Sequence, residues 1–195
     1  MDRAADVAAV GKMAEIALRL DRDNVRALIC HGHRKALLHR DYTVAKEAFR
    51  RALDVAPSWA QTWAWSSYTF SYLNETEEAL RRAYRALELS PRDRHAHDFY
   101  SVLCVAHYTA GDYPEAAEWG LRALGETPVL RATFRWTAAA LQASGQAARA
   151  REIMRLGMEQ MPEQHVRDVV RFSPYRDQER RELLGAHLLA AGFPD

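Results

Sequence analysis

Cysteine is scarce in this chain: Cys30 and Cys104 are the only two among 195 residues, 74 positions apart. Both fall inside expected helices, so buried reduced thiols are expected in place of a disulfide framework. That usage fits a reducing cytoplasm. A charge of one sign is also lacking, since 27 basic side chains stand against 26 acidic ones for a formal net charge of +1. The balance removes the electrostatic reason to expect nucleic acid or an anionic membrane as a partner. No apolar run approaches the roughly 18 residues of a spanning helix. The opening stretch, MDRAADVAAVGKMAEIALRLDRD, carries acids early and reads as an amphipathic helix, not a secretion signal. No Gly-rich phosphate loop is present, and no strand–turn–helix context exists for a Ser or Cys nucleophile. The remaining composition, 48% hydrophobic and 27% charged, is ordinary for a folded chain of one sizeable domain.

What is present is a repeat. Pro57, Pro91, Pro128 and Pro162 are separated by 34, 37 and 34 residues. An alanine stands 12 residues before each of them (Ala45, Ala79, Ala116, Ala150), and a second small residue stands five before (Ala52, Ala86, Ala123, Gly157). Such a period is the signature of stacked helical units that cannot bury their apolar faces alone.

Aligned on the prolines, each segment splits into two helical halves. Gly111 and Gly145 end the first halves of the third and fourth segments, where a helix needs a left-handed C-terminal residue. Asn74 marks the same break in the second. Each proline follows a second half and stops it through its fixed φ and missing N–H. Ile29, Trp63, Tyr100 and Phe134 share one equivalent position in the first halves, and four residues later come His33, Ser67, Cys104 and Ala138. Large side chains set against small ones at matching offsets are what an antiparallel helix pair needs to interdigitate.

This combined spacing resembles the tetratricopeptide repeat, a helix–turn–helix unit of about 34 residues. The resemblance covers residues 26–162 and implies an all-α fold: a right-handed α-α superhelix of four helix hairpins in a single solenoid domain, 1–195. The expected units are 25–58, 59–92, 96–129 and 130–163, preceded by a half-repeat helix in 1–22 and followed by a C-terminal cap in 164–195. Departures from the family pattern are His33 in place of a glycine, Ala83 and Gly120 in place of a bulky residue, and three extra residues in RDRHAHDFY. Residues 4–20 resemble a second repeat helix without its first partner, which suggests a piece of a longer protein. The tail SPYRDQERRELLGAHLLAAGFPD breaks the pattern. Asp177 is a candidate N-cap for its helix, with Leu183, Leu184, Leu188 and Ala191 as the apolar face. Pro174, Tyr175, Arg176, Asp177, Gly192, Phe193 and Pro194 also resemble the ending of tetratricopeptide arrays in bacterial class III adenylate or guanylate cyclases and winged-helix regulators.

In the family the first helices line a concave surface on which extended peptides lie. The resemblance places His31, Arg34, Trp65, Tyr68, Tyr72, Asp98, Ser101, Tyr108, Arg135, Trp136 and Gln142 there. Trp65, Tyr68 and Tyr72 stand at i, i+3 and i+7, hence on one stripe. Aromatic and arginine side chains dominate binding hot spots. The competing reading is that this stripe packs into the core or is covered by the chain's own terminal helices. The Lys/Asn charge clamp of chaperone-binding members is absent, since Cys30, Arg34, Trp65, Asp98 and Val102 occupy those sites or their neighbours.

No chemistry is expected beyond binding. His31 and His33 at i and i+2 diverge on a helix; His95 and His97 could reach one ion, but no third ligand is evident, so no metal site and no cofactor are expected. Glu77/Glu78 and Glu115/Glu118 sit at helix starts, where they stabilise the positive end of the dipole. The arginines at 50, 51, 81, 82, 85, 149, 151 and 155 read as a solvated outer face. The chain is therefore expected to be no enzyme but a scaffold holding a protein or peptide partner in its groove. One alternative is an intramolecular module acting on an effector domain of the same parent. The other is self-association as a homodimer through the unfinished first repeat.

Overall fold

A computed structural model describes the backbone of residues 3–93, 95–126, 131–160 and 164–195, with side chains from residue 11 onward. Among these residues the chain forms eleven α-helices and no strand. They are α1 (Arg3–Leu20), α2 (Val25–His39), α3 (Tyr42–Val55), α4 (Ala60–Tyr72), α5 (Thr76–Leu89), α6 (Ala96–Ala110), α7 (Tyr113–Glu126), α8 (Arg131–Ala143), α9 (Ala147–Gln160), α10 (Val166–Phe172) and α11 (Gln178–Ala190). None is long and apolar enough to cross a membrane.

The hairpins α2–α3, α4–α5, α6–α7 and α8–α9 follow from the recurring small residues. Ala45, Ala79, Ala116 and Ala150 are all 0% exposed, as are Ser67, Cys104 and Ala138 on the facing helices. Each absent side chain lets two backbones approach. In the second hairpin the approach is close enough for Ser67 Oγ to donate to the Ala79 carbonyl at 2.8 Å. Gly120, one of the departures from the family pattern, belongs to the same logic. A Cβ there would stand 2.3 Å from Thr137 Oγ1 and 3.0 Å from Cys104 Sγ, so α6 and α8 fill the space a larger residue would need. Burial in that layer pushes the Cys104 thiol up to about 12, which keeps it protonated at neutral pH.

The first halves end as the glycines require. Gly111 and Gly145 have φ of 84° and 81°, and the equivalent Asn74 and Arg40 reach the same left-handed region at 63° and 51°. Helices α2, α4, α6 and α8 pack side by side as one layer, and α3, α5, α7 and α9 back them as the other. Nearly all of α6 is buried, from Phe99 to Thr109, which makes it the centre of the core. Each large apolar side chain there contributes about 1.5–3 kcal/mol by leaving water.

The outer arginines pair locally: Arg50 with Glu47 and Asp54, Arg81 with Glu78, Arg85 with Glu88, Arg155 with Glu159. Exposed pairs of this kind are worth about 0–1 kcal/mol each, so they solvate the face and do not hold the fold. Arg82 differs. It lies over the Phe70 and Trp63 rings while bonding Glu78 and Ser66.

The cap departs from expectation in two details. Asp177 occupies the N-cap position of α11, yet its carboxylate makes no capping bond and instead accepts from Arg176 Nε at 3.2 Å. Leu184, Leu188 and Ala191 are buried against the solenoid, whereas Leu183 is turned to solvent. A seven-residue helix, α10, precedes α11, and its Val166 N–H donates to the Pro194 carbonyl at 2.7 Å, which closes the end of the chain on itself.

Candidate partner-binding groove

Helices α2, α4, α6 and α8, one of the two layers, carry the candidate residues. Trp65, Tyr68 and Tyr72 do form one stripe on α4, as their spacing requires. The His33 ring meets Trp65 edge-on at 4.6 Å, Trp65 meets Tyr68 at 6.1 Å, and Tyr68 stacks on Tyr72 at 6.0 Å. Burial pushes the Tyr68 and Tyr72 hydroxyls well above the ordinary phenol range.

The stripe does not stop there, because the chain's own tail continues it. Tyr175, 1% exposed, stands edge-on to Tyr72 at 6.1 Å and to Trp136 at 5.8 Å. Its hydroxyl lies 2.5 Å from Thr109 Oγ1, which in turn donates to the Val105 carbonyl. Trp136 then meets Tyr108, and Tyr108 Oη lies 2.8 Å from His187 Nδ1 on α11. Tyr72 and Tyr108 are left 4% and 2% exposed. Nothing can touch these two without first displacing the tail.

The backbone of the tail is gripped as firmly as its side chain. Arg40 donates through Nε and Nη2 to the Ser173 carbonyl at 3.1 and 2.9 Å, and through Nη2 to that of Arg171 at 2.8 Å. Tyr42 Oη donates to the Pro174 carbonyl at 2.6 Å. The Arg176 N–H donates to the Tyr72 carbonyl at 2.9 Å, and its guanidinium reaches the Leu73 carbonyl. These contacts run across the C-terminal ends of α2, α4 and α6. Residues 173–176 therefore lie as a non-helical segment across that end of the layer. Arg40, Tyr42, Thr109, Tyr175 and His187 are absent from the sequence-based candidates. The tail motif was visible as a motif, but nothing in it said where it docks.

The other candidates lie away from the tail's track or at its edge. His31 is half-buried, with burial the main cause that lowers its pKa. Arg34 faces α1: its guanidinium lies against Gly11, where a Cβ would come within 2.4 Å, and pairs with Glu15 at 3.7 Å. Asp98 begins α6 beside His97, 3.5 Å from its Nε2; burial raises its pKa and the neighbouring imidazoles oppose that. Ser101 is spent on the His97 carbonyl and Thr133. Arg135 bonds Gln164, in the segment leading to α10. The Gln142 Oε1 is buried without a hydrogen-bond partner.

One arrangement outside the groove has the form of a catalytic relay. Tyr84 Oη lies 2.9 Å from His107 Nε2, and His107 Nδ1 lies 3.1 Å from Asp112 Oδ2. Burial raises the Tyr84 pKa, the opposite of what a nucleophile needs. Two open cavities of about 460 and 500 Å³ are lined by other residues. The relay ties α5 to α6 and to the turn before α7.

No family model and no curated protein matches the sequence. Solved structures do match. PilW, a widely conserved type IV pilus biogenesis factor, superposes with a TM-score of 0.69 at 17% identity, over 95% of this chain and 84% of its own. Pseudomonas aeruginosa PilF gives 0.64 at 15% identity over 95% and 82%. MamA gives 0.53 at 17% identity over 80% and 84%. At such identities the likeness speaks for the fold alone: the chain is an all-α helical solenoid of the tetratricopeptide type.

Proposed function

We propose that the chain is a non-catalytic scaffold that holds a peptide or partner domain on its inner face. The observation that supports this most is the tail. The face already accepts a peptide segment, residues 173–176, through hydrogen bonds to its main chain, mostly from side chains, and one buried aromatic anchor. A surface that binds its own chain this way has the chemistry to bind another. The partner meets the part the tail leaves uncovered, with His31, Trp65, Tyr68, Asp98 and Arg135 as contacts and Arg34 behind them. Tyr72 and Tyr108 join only if the tail is displaced, whereas the half-buried Trp136 stands at the edge of its track. Neither nucleic acid nor membrane is a partner in this reading, and two free cysteines suit the cytoplasm, although only Cys104 is buried as expected and Cys30 is exposed. The test is affinity capture from lysate with wild type beside Trp65→Ala and His31→Glu. The expected result is a partner lost from both variants, with a hot-spot cost of about 2 kcal/mol or more at Trp65. Equal recovery by variants with unchanged circular dichroism would sink the groove reading.

The same tail favours a second reading, in which occupancy of the groove is itself regulatory and the module acts on an effector of the same parent. A cyclase or transcription-regulator parent rests on the tail motif alone, and no comparison supports it. Effector activity unchanged by adding this chain in trans would remove it. Self-association has its own observation: Met13, Ile16 and Leu20 form an exposed apolar stripe on α1, at 72%, 40% and 85% exposure. Light scattering that gives a monomer at every concentration would end that reading.

A further inference from the structure

We propose that His95, His97 and Asp98, at the start of α6, form a binding site for a divalent first-row transition ion of the zinc type. In the sequence alone no third ligand is evident for the two histidines. The structure places Asp98 beside them, with one donor atom from each of the three residues all within 4.8 Å of one another.

Backbone geometry explains why this pair converges when His31 and His33 do not. Two helical residues at i and i+2 point to different faces. His95, however, is the N-cap of α6, with φ −109° and ψ 28°, so it stands outside the helical repeat. Its amide is tied to Asp93 Oδ1 at 2.8 Å, which fixes the turn that carries the ring. The His95 and His97 rings sit 5.8 Å apart at 63°, and His97 Nε2 is already 3.5 Å from Asp98 Oδ1. Ligands around a tetrahedral ion stand about 3.3 Å apart, from bonds of about 2.0–2.1 Å. The remaining gap is therefore closed by small side-chain rotations, without backbone movement.

The donor set decides the ion. Two imidazoles with one carboxylate suit zinc and its neighbours, whereas calcium and magnesium want oxygen alone. Helix-dipole stabilisation accounts for an aspartate in the first turn, but not for two imidazoles gathered around it. The His97 and Asp98 side chains are only 14% and 24% exposed, so an ion would be partly shielded from water. Asp93 adds a second negative charge nearby. His95 also lines the cavity of about 460 Å³ with Ser90, Asp93 and Arg26, which supplies an entry path; Arg26 is the opposing charge there. Three protein ligands leave a coordination position for water.

The experiment is a titration of chelator-treated, untagged protein with zinc, followed by calorimetry, and with cobalt, followed by its visible ligand-field absorption. One zinc per chain is expected, with magnesium and calcium giving no signal. His95→Gln and Asp98→Asn, both checked by circular dichroism, are expected to weaken zinc binding more than about tenfold. His39→Ala, at an exposed histidine elsewhere, is expected to leave it unchanged. Absence of zinc binding by the wild type overturns the proposal. So does wild-type affinity retained in folded His95→Gln and Asp98→Asn, because the ion would then sit on other surface histidines.

Discussion

His33 stands in an environment that its side chain disfavours when charged. It stands where the other units carry Ser67, Cys104 and Ala138, and it sits among Trp65 and Tyr68 with its Nδ1 buried and unpartnered. Burial lowers its pKa to about 4, from an ordinary value near 6.5 in the unfolded chain. Between those two values only the unfolded chain takes up the proton. Stability contributed by the neutral ring is thus complete above pH 6.5 and falls as the pH drops towards 4, by about 1.4 kcal/mol per unit at most. Burial lowers His187 in the same direction, so the whole chain is expected to lose stability over this window. Urea unfolding midpoints measured from pH 7.5 down to 4 check it. Replacing His33 by Gln, which cannot titrate, is expected to flatten the curve; an unchanged slope would assign the loss to other groups.

At the scale of the helix, the four left-handed residues at matching positions are the sharpest link between sequence and structure. Gly111 and Gly145 were readable because only glycine takes φ above 80° without a steric penalty. Asn74 was readable as a break because asparagine tolerates the same region. Arg40 gave no such signal, since nothing about an arginine announces a φ of 51°. Its conformation is repaid by the tail: the bend lets the guanidinium reach the Ser173 carbonyl, 133 residues away. Two substitutions separate the effects. Asn74→Gly is expected to stabilise the protein slightly, by about 0.5 kcal/mol, through relief of left-handed strain. Arg40→Gly relieves more strain but deletes three hydrogen bonds at about 0.5–1.5 kcal/mol each, so a net loss of about 1–2 kcal/mol is expected. Denaturant melts of both variants decide it, and stabilisation by Arg40→Gly would mean the clamp contributes little. The contrast also shows what was legible. The hairpins repeat, so each packing constraint appears four times at one offset and becomes a pattern. The tail contacts occur once each, between residues 39 to 133 positions apart, and leave no period to read. The groove candidates were placed by the repeat and so fall on the equivalent helices α2, α4, α6 and α8, although Arg34 there faces α1 and Ser101 is buried against Thr133. Which of them stay accessible depends on Tyr175, whose docking the repeat does not encode.

Across the whole molecule, the tail changes what kind of object the solenoid is. A helical array is quasi-one-dimensional, because each unit touches only its neighbours and stability is a sum of unit and interface terms. Here one short segment touches all four units. It meets the first at Arg40 and Tyr42, the second at Tyr72 and Leu73, the third at Thr109, and the fourth at Trp136. Helix α11 then packs on α8 and reaches back to Tyr108 through His187. Such a brace couples units that would otherwise open one at a time from the ends. Wild-type unfolding is accordingly expected to be a single transition, with helix content by circular dichroism and tryptophan fluorescence coinciding. Tyr175→Ala removes the ring at the centre of the brace and is expected to cost about 3–5 kcal/mol. More tellingly, it is expected to separate the two probes, as the terminal units open before the α6 core. Tyr175→Phe keeps the ring and loses only the Thr109 contact, so a cost of about 1 kcal/mol with coincident probes is expected. If Tyr175→Ala lowers the midpoint while the two curves still overlay, the tail is only a local cap over the last hairpin. Cooperativity would then come from the unit interfaces alone.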